Sequence, residues 1–245
     1  MTKREHIIIL ILIAVIFVIG MLILSQTLLK DEKMENSSTA MIHEVISNSS
    51  NNQGSVEVIK NIGNPNSSKR IAYVVGLHPL EYQTHRTLVN LLPNMTNLRY
   101  CYDVYIVNVT KDVGYYGDGS SDDSPGRQNG QNLAYKYVYP QIVNGDYDLA
   151  VDVHSNVGAY PYKTFVFSPV KEGLAGEYAG EVANKCENIS YYSPDSTTSG
   201  PYLTIPLNEK GIPAFYFEEY SFAPQDVKDE HMMELIGAID GLNFT

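Results

Sequence analysis

The sequence predicts one α/β domain with a mostly parallel or mixed central sheet flanked by helices, preceded by a single transmembrane helix. Three observations predict it. Short apolar runs alternate with stretches of helical period from about residue 70 onward. An uncharged run from Ile7 to Leu24 lies near the N-terminus. Of the 245 residues, roughly 190 remain beyond that run and the polar stretch behind it, enough for one sizeable core and too few for two.

The run from Ile7 to Leu24 reaches the lower length limit for a helix crossing a bilayer. Lys3 and Arg4 precede it, whereas Lys30, Asp31, Glu32 and Lys33 behind it cancel. The positive-inside bias therefore expects residues 1–6 in the cytoplasm, a lipid-bilayer anchor over 7–29 and the remainder outside. The rival reading is a cleaved signal peptide. Against it, the run exceeds the usual apolar core of such a peptide and no Ala-x-Ala site follows. Residues 30–54, rich in Asn, Ser and charge, read as a polar tether with at most a short helical patch at Met41 to Ile46. Asn-x-Ser/Thr occurs at Asn36, Asn48, Asn66, Asn94, Asn108, Asn188 and Asn243, against about two or three expected by chance. Cys101 and Cys186 could pair in an oxidising exterior; they lack metal-ligand spacing, and structural or free thiols are the default reading.

The domain is expected over 55–245. Arg70 to Gly76 is a buried strand, and Glu81 to Leu92 has a helical period closed by Pro93. Tyr102 to Val109 alternates as a second strand. Lys111 to Asn132 reads as a long Gly/Ser/Asp-rich loop, and Tyr135 to Ile142 as a helix. Strands follow at Asp148 to Val153, Thr164 to Phe167 and Ala214 to Phe217. Gln225 to Leu242 closes the domain as a helix.

A net charge of -11 argues against nucleic acid as a partner. Nineteen Tyr against seven Phe and no Trp supply apolar bulk with polar tips, suited to packing and to a peptide- or sugar-facing surface. Chemistry concentrates at three strand ends, where such a sheet places its site. Gly76-Leu77-His78-Pro79-Leu80-Glu81 sets an imidazole and a carboxylate three residues apart at a strand-to-helix turn. Asp152-Val153-His154 ends a second strand, and Phe217-Glu218-Glu219 ends the last one. Two His and a Glu form a catalytic zinc set with a position left for water, and a further Glu can take the water's proton. Each piece alone has an ordinary structural reading; their order after apolar strands joins them. Of the other histidines, His85 reads as packing and His231 as exposed.

That order, His-x-x-Glu, a basic loop, a lone strand-end His and a Glu near the C-terminus, resembles the zinc carboxypeptidase superfamily, including its smaller aspartoacylase-type deacylases. The resemblance covers about Ile71 to Tyr220. It implies one Zn2+ held by His78, Glu81 and His154, with Glu218 as general base and proton donor. Gly211-Ile212-Pro213-Ala214-Phe215-Tyr216-Phe217-Glu218 is similar to the family's approach to that Glu, and strand alternation lets only one of Glu218 and Glu219 face the metal. The family carries two basic side chains in its central region. Here Arg127, in Arg127-Gln128-Asn129, is the sole arginine after Arg99, and Lys111 is the other cation in reach. The resemblance implies Arg127, Asn129 and Tyr202 at the substrate, Arg127 on its carboxylate or on the oxyanion, and Asp152 behind a ligand. The reading is a membrane-anchored, outward-facing zinc hydrolase cleaving an amide of a peptide, a cell-wall peptide or an N-acyl amino acid. The alternatives are a non-catalytic surface binding module on the same fold and a purely structural envelope glycoprotein.

Overall fold

The structure, a computed structural model, describes residues 40–48, 53–114 and 125–244. Eight strands form one mixed sheet in the order β1-β2-β4-β3-β5-β8-β6-β7. They are β1 (Ile42–Asn48), β2 (Gly54–Gly63), β3 (Arg70–Val75), β4 (Cys101–Val109), β5 (Leu149–Asn156), β6 (Phe165–Phe167), β7 (Ser190–Tyr191) and β8 (Ala214–Tyr220). The centre, β4-β3-β5-β8, is parallel, and β2 and β6 flank it antiparallel.

Strand alternation divides the core in two. Ile71, Tyr73 and Val75 of β3 join a cluster on one face, and Ala72 and Val74 join a second on the other. The first face is covered by α1 (Tyr82–Leu91), α4 (Leu174–Lys185) and α6 (Gln225–Asp240), through Leu88, Val182, Leu235 and Ile239. The second is covered by a helical run made of α2 (Pro125–Leu133), a π-helical turn (Ala134–Val138) and α3 (Tyr139–Val143), with α5 (Thr204–Glu209) beside it. There Leu133, Val138, Ile142 and Leu207 meet Val56, Val58 and Val74. Side chains of this size each contribute about 1.5–3 kcal/mol when fully removed from water.

Three sequence expectations change. The folded unit starts at Met41, and Met41 to Ile46 enters a strand, neither tether nor helical patch. β1 pairs with β2, and His43–Glu57 and Lys60–Glu44 lie side by side across them. Ile42 and Val45 stay about half exposed at this sheet edge, so the segment shows little hydrophobic pattern. The last third of the expected loop Lys111 to Asn132, from Pro125 on, is helix α2. Gly126 and Gly130 depress its helical signal, but both are needed for contact: an added Cβ would lie 2.3 Å from Asp112 O and 2.0 Å from Leu77 O, respectively. Cys101 and Cys186 are free thiols. Among the described residues no helix is long and apolar enough to cross a membrane; the anchor expected at 7–29 lies outside them.

Candidate metal centre and active-site cleft

The sheet's order reverses between β3 and β5, and both strands end at the cleft. Gly76 closes β3 at φ +93, where a side chain would collide with Val107 O at 1.9 Å. The chain then makes one 3-10 turn, Pro79–Glu81, capped by His78, with Glu81 N donating to His78 O at 3.1 Å. Proline at the first position suits that turn, since its missing N–H has no partner to lose. The single turn puts His78 Nδ1 2.9 Å from Glu81 Oε1.

From β5, His154 brings its Nδ1 to 3.0 Å from Glu81 Oε2, which also accepts Ser155 N–H at 2.9 Å. His78, Glu81 and His154 are thus buried, and one ligand atom from each lies within 4.8 Å of the others. The two imidazole–carboxylate separations near 3 Å match neighbouring ligands on one ion with bonds of about 2 Å. Both rings aim Nδ1 inward and are approached at Nε2 from behind. Gln131 Nε2 stands 3.2 Å from His78 Nε2. Asp152 Oδ1 stands 3.0 Å from His154 Nε2, at ion-pair distance though outside hydrogen-bond alignment. Outer partners of this kind fix which ring nitrogen is free for a metal. The donor set, two imidazoles and a carboxylate, therefore fits a divalent metal ion.

Burial lowers the pKa of His78 to about 4 against the pull of Glu81, so the ring is neutral. Burial opposes the charge on Glu81, yet His78 and His154 outweigh it and hold its carboxyl well below the usual range. His154 titrates well above the ordinary histidine range because Asp152 and Glu81 overcome burial.

Glu218 pairs with His154 across β5 and β8. Alternation puts Tyr216 and Glu218 on the metal side, whereas Glu219, 1% exposed, points away to Thr164 Oγ1 (3.1 Å) and His231 Nδ1 (2.9 Å). Burial raises the Glu218 carboxyl to about 8, with Glu81 and Asp152 adding and His154 and Arg127 opposing. Its Oε2 is buried without a hydrogen-bond partner among the described residues. His78, Glu81, His154 and Glu218 share a cleft of about 370 Å³ with Arg127, Ser155, Tyr160, Phe167, Thr197, Thr198, Ser199 and Tyr216, a volume ordinary for small-molecule and peptide sites.

Arg127 reaches the cleft from α2, its Nη1 3.3 Å from Glu81 Oε1 and its Nη2 donating to Thr198 Oγ1 at 3.1 Å. Residues 127, 130 and 131 fall on one helix face, so Gly130 approaches Leu77 where Gln131 meets His78. Asn129 falls on another face. It accepts from Gln53 and donates to Lys111 O, bracing the fold outside the cleft lining. Lys111, exposed, does not line the cleft either. Tyr202 is also absent from the lining; its hydroxyl accepts from Gln128 Nε2 at 2.9 Å. His231 is half-buried on Glu219 instead of exposed. Sequence reasoning missed Gln131, which the same i, i+4 spacing from Arg127 would have placed had the segment been read as helix. It also missed the hydroxyl-bearing wall Ser196-Thr197-Thr198-Ser199, which no periodicity marks.

No protein-family model matches the chain, and no curated protein matches it in sequence. Solved structures do. A protein from Shewanella denitrificans provisionally described as a metallopeptidase is similar at 10% identity and TM-score 0.50, over 84% of this chain and 86% of that one. The metallo-carboxypeptidase from Burkholderia cenocepacia is similar at 12% identity and TM-score 0.49, over 83% and 64%. The tripeptide-bound cell shape determinant Csd4 from Helicobacter pylori is similar at 12% identity and TM-score 0.49, over 75% of this chain. The chain spans 54% of the Csd4 length. The Shewanella likeness is one of fold: a mixed eight-stranded sheet between helices, the carboxypeptidase-like architecture that the resemblance implied.

Proposed function

We propose that the chain is a zinc-dependent hydrolase of amide bonds, acting on a peptide or an N-acyl amino acid. The observation that carries this reading is the convergence of His78, Glu81 and His154 on one point, with the buried, unpartnered Oε2 of Glu218 and the guanidinium of Arg127 in the same cleft. A zinc ion on those three ligands would supply Lewis acidity at the scissile carbonyl. Glu218 takes the proton of the attacking water at its free oxygen and returns it to the departing nitrogen. A carboxyl raised toward neutrality suits both transfers. Arg127 holds a guanidinium beside the metal carboxylate and stabilises negative charge developing on the carbonyl oxygen. Asp152 and Gln131 orient the two imidazoles.

The test measures metal content by mass spectrometry and hydrolysis across acyl-amino-acid and peptide amides, using the full chain and its Glu218→Ala variant. One zinc per chain is expected in both, with turnover falling about 10²–10⁴-fold in the variant. Unchanged turnover removes Glu218 from the mechanism, and activity in metal-free protein removes zinc. Stoichiometric zinc with no cleavage of any substrate favours the binding-module reading. The lysine and arginine before Ile7 and the apolar run behind them support a bilayer anchor over residues 7–29 with the catalytic domain outside the cell membrane. Protease added to intact cells should then remove the domain.

A further inference from the structure

We propose that the substrate brings no free carboxylate into this cleft: the cleaved bond is an internal or blocked peptide amide, not the last bond of a chain with a free acid end. This rests on the hydrolase reading and narrows its substrate class. Arg127 is the one Lys or Arg side chain among the described residues lining the cleft. Its two terminal nitrogens diverge, Nη1 toward Glu81 and Nη2 onto Thr198. Bidentate capture of a carboxylate needs those nitrogens side by side on one partner. Residues 115–124, outside the described residues, contain three aspartates and no Lys or Arg. The cleft also already holds the carboxyls of Glu81 and Glu218, with Asp152 behind them. A substrate carboxylate would be desolvated beside the Glu81 carboxylate, with no guanidinium or ammonium among the described residues set to take it side on.

What the cleft offers instead is neutral. Ser196, Thr197 and Ser199 line the same cleft as the metal ligands. Ser199 Oγ is fixed 3.0 Å from the Tyr216 hydroxyl, which also receives Thr204 Oγ1 at 2.9 Å. Hydroxyls both donate and accept, so such a wall matches the carbonyl and N–H of a continuing peptide backbone and a terminal amide equally.

The experiment compares N-acetyl tripeptides that differ only in ending as free acid or primary amide. Binding is measured by calorimetry to the metal-free full chain, where an acid cannot simply ligate zinc, and kcat/KM with the zinc-loaded chain. The amide is expected to bind at least about tenfold more tightly, and to be cleaved preferentially by a similar factor. Ser196→Arg, which adds a cation at an exposed cleft position, should shift both ratios back toward the acid. Equal or tighter binding of the acid overturns the inference, as does failure of the chain to bind either peptide or an unmoved ratio in Ser196→Arg. A chain that prefers the amide in binding but cleaves neither peptide overturns the hydrolase reading alone. A chain that cleaves the free acid as well as the amide overturns the inference and leaves the hydrolase standing.

Discussion

Gly130→Ala tests how helix α2 builds the metal centre, because helix propensity and packing predict opposite signs. In an unobstructed helix interior, replacing Gly by Ala stabilises by about 0.5–1 kcal/mol. At Gly130 the new methyl carbon would stand 2.0 Å from Leu77 O and 2.7 Å from the same carbonyl carbon. Both atoms are backbone, so neither can rotate away. Ordinary contact needs more than 3 Å, and either the helix or the Leu77–His78 segment must retreat by about 1 Å or more. Overpacking of this kind costs about 1–3 kcal/mol, and at about 2–4 °C per kcal/mol for a chain of this size the melting temperature should fall accordingly. His78 follows Leu77 directly and meets Gln131, the residue after Gly130. A ligand displaced by about 1 Å lies far outside the 0.2 Å tolerance of a metal bond, so zinc affinity should fall at least about tenfold. Gly180→Ala in α4 and Gly237→Ala in α6 serve as controls, since nothing lies within 4 Å of an added Cβ at either position; both should melt at or slightly above the wild-type temperature. Calorimetric melting and zinc competition with a chelator read the two effects. A Gly130→Ala protein that melts as high as the controls and keeps its zinc would refute the close helix contact.

Other sites respond in ways the structure fixes. Asp152→Asn should weaken zinc binding by about 10–100-fold with the fold intact; chelator competition that shows wild-type affinity would detach Asp152 from His154. Arg70→Met strands the buried Asp103, which Arg70 Nη1 meets at 2.7 and 2.8 Å. Such a loss costs about 3–5 kcal/mol. A value nearer the lower end is expected, because Arg70 keeps 29% of its side chain exposed and Asn61 N–H and Tyr147 O–H still serve the carboxylate; denaturant titration of Arg70→Met and of Arg70→Met/Asp103→Leu measures it, and the double variant should be the more stable of the two. His231 titrates above its ordinary value, chiefly through its bond to Glu219. A raised folded pKa means the pair's contribution is complete below the unfolded value near 6.5 and fades as pH rises through the folded one. Urea midpoints should therefore separate wild type from His231→Gln at about pH 5.5 and converge at about pH 9, and a gap that widens with pH would contradict the pairing.

Much of the site was legible because its residues obey short-range rules. His78 and Glu81 are one 3-10 turn apart, and Glu218 and Glu219 take opposite sheet faces whatever the rest of the fold does. Asn129 and Tyr202 fall outside the cleft lining because their positions depend on helix phase and on which side of a turn faces the cleft. Those facts require α2, and α2 is hidden in sequence by glycines whose purpose is contact with Leu77. β1 was hidden for the reverse reason: it is an edge strand held by backbone pairing and polar cross-strand neighbours, so it needs no alternating apolar face. α4 is hard to read in sequence although Ala175, Tyr178, Ala179 and Val182 are all buried, because Gly176 and Gly180 dilute that pattern.

The same helix phase links the candidate metal ligands to the proposed substrate-facing arginine. Arg127 and Gln131 lie one turn apart on α2, so the distance at which Gly130 seats the helix against Leu77 sets both the support behind His78 and the reach of the guanidinium toward Glu81. A cation held there by the metal's own carboxylate and by Thr198 is positioned for charge that develops on a carbonyl, and is correspondingly ill placed to clamp a chain end. In this fold the lone arginine cannot serve both roles at once. On the proposed reading Arg127 serves the carbonyl, and the cleft is then expected not to select an acidic terminus.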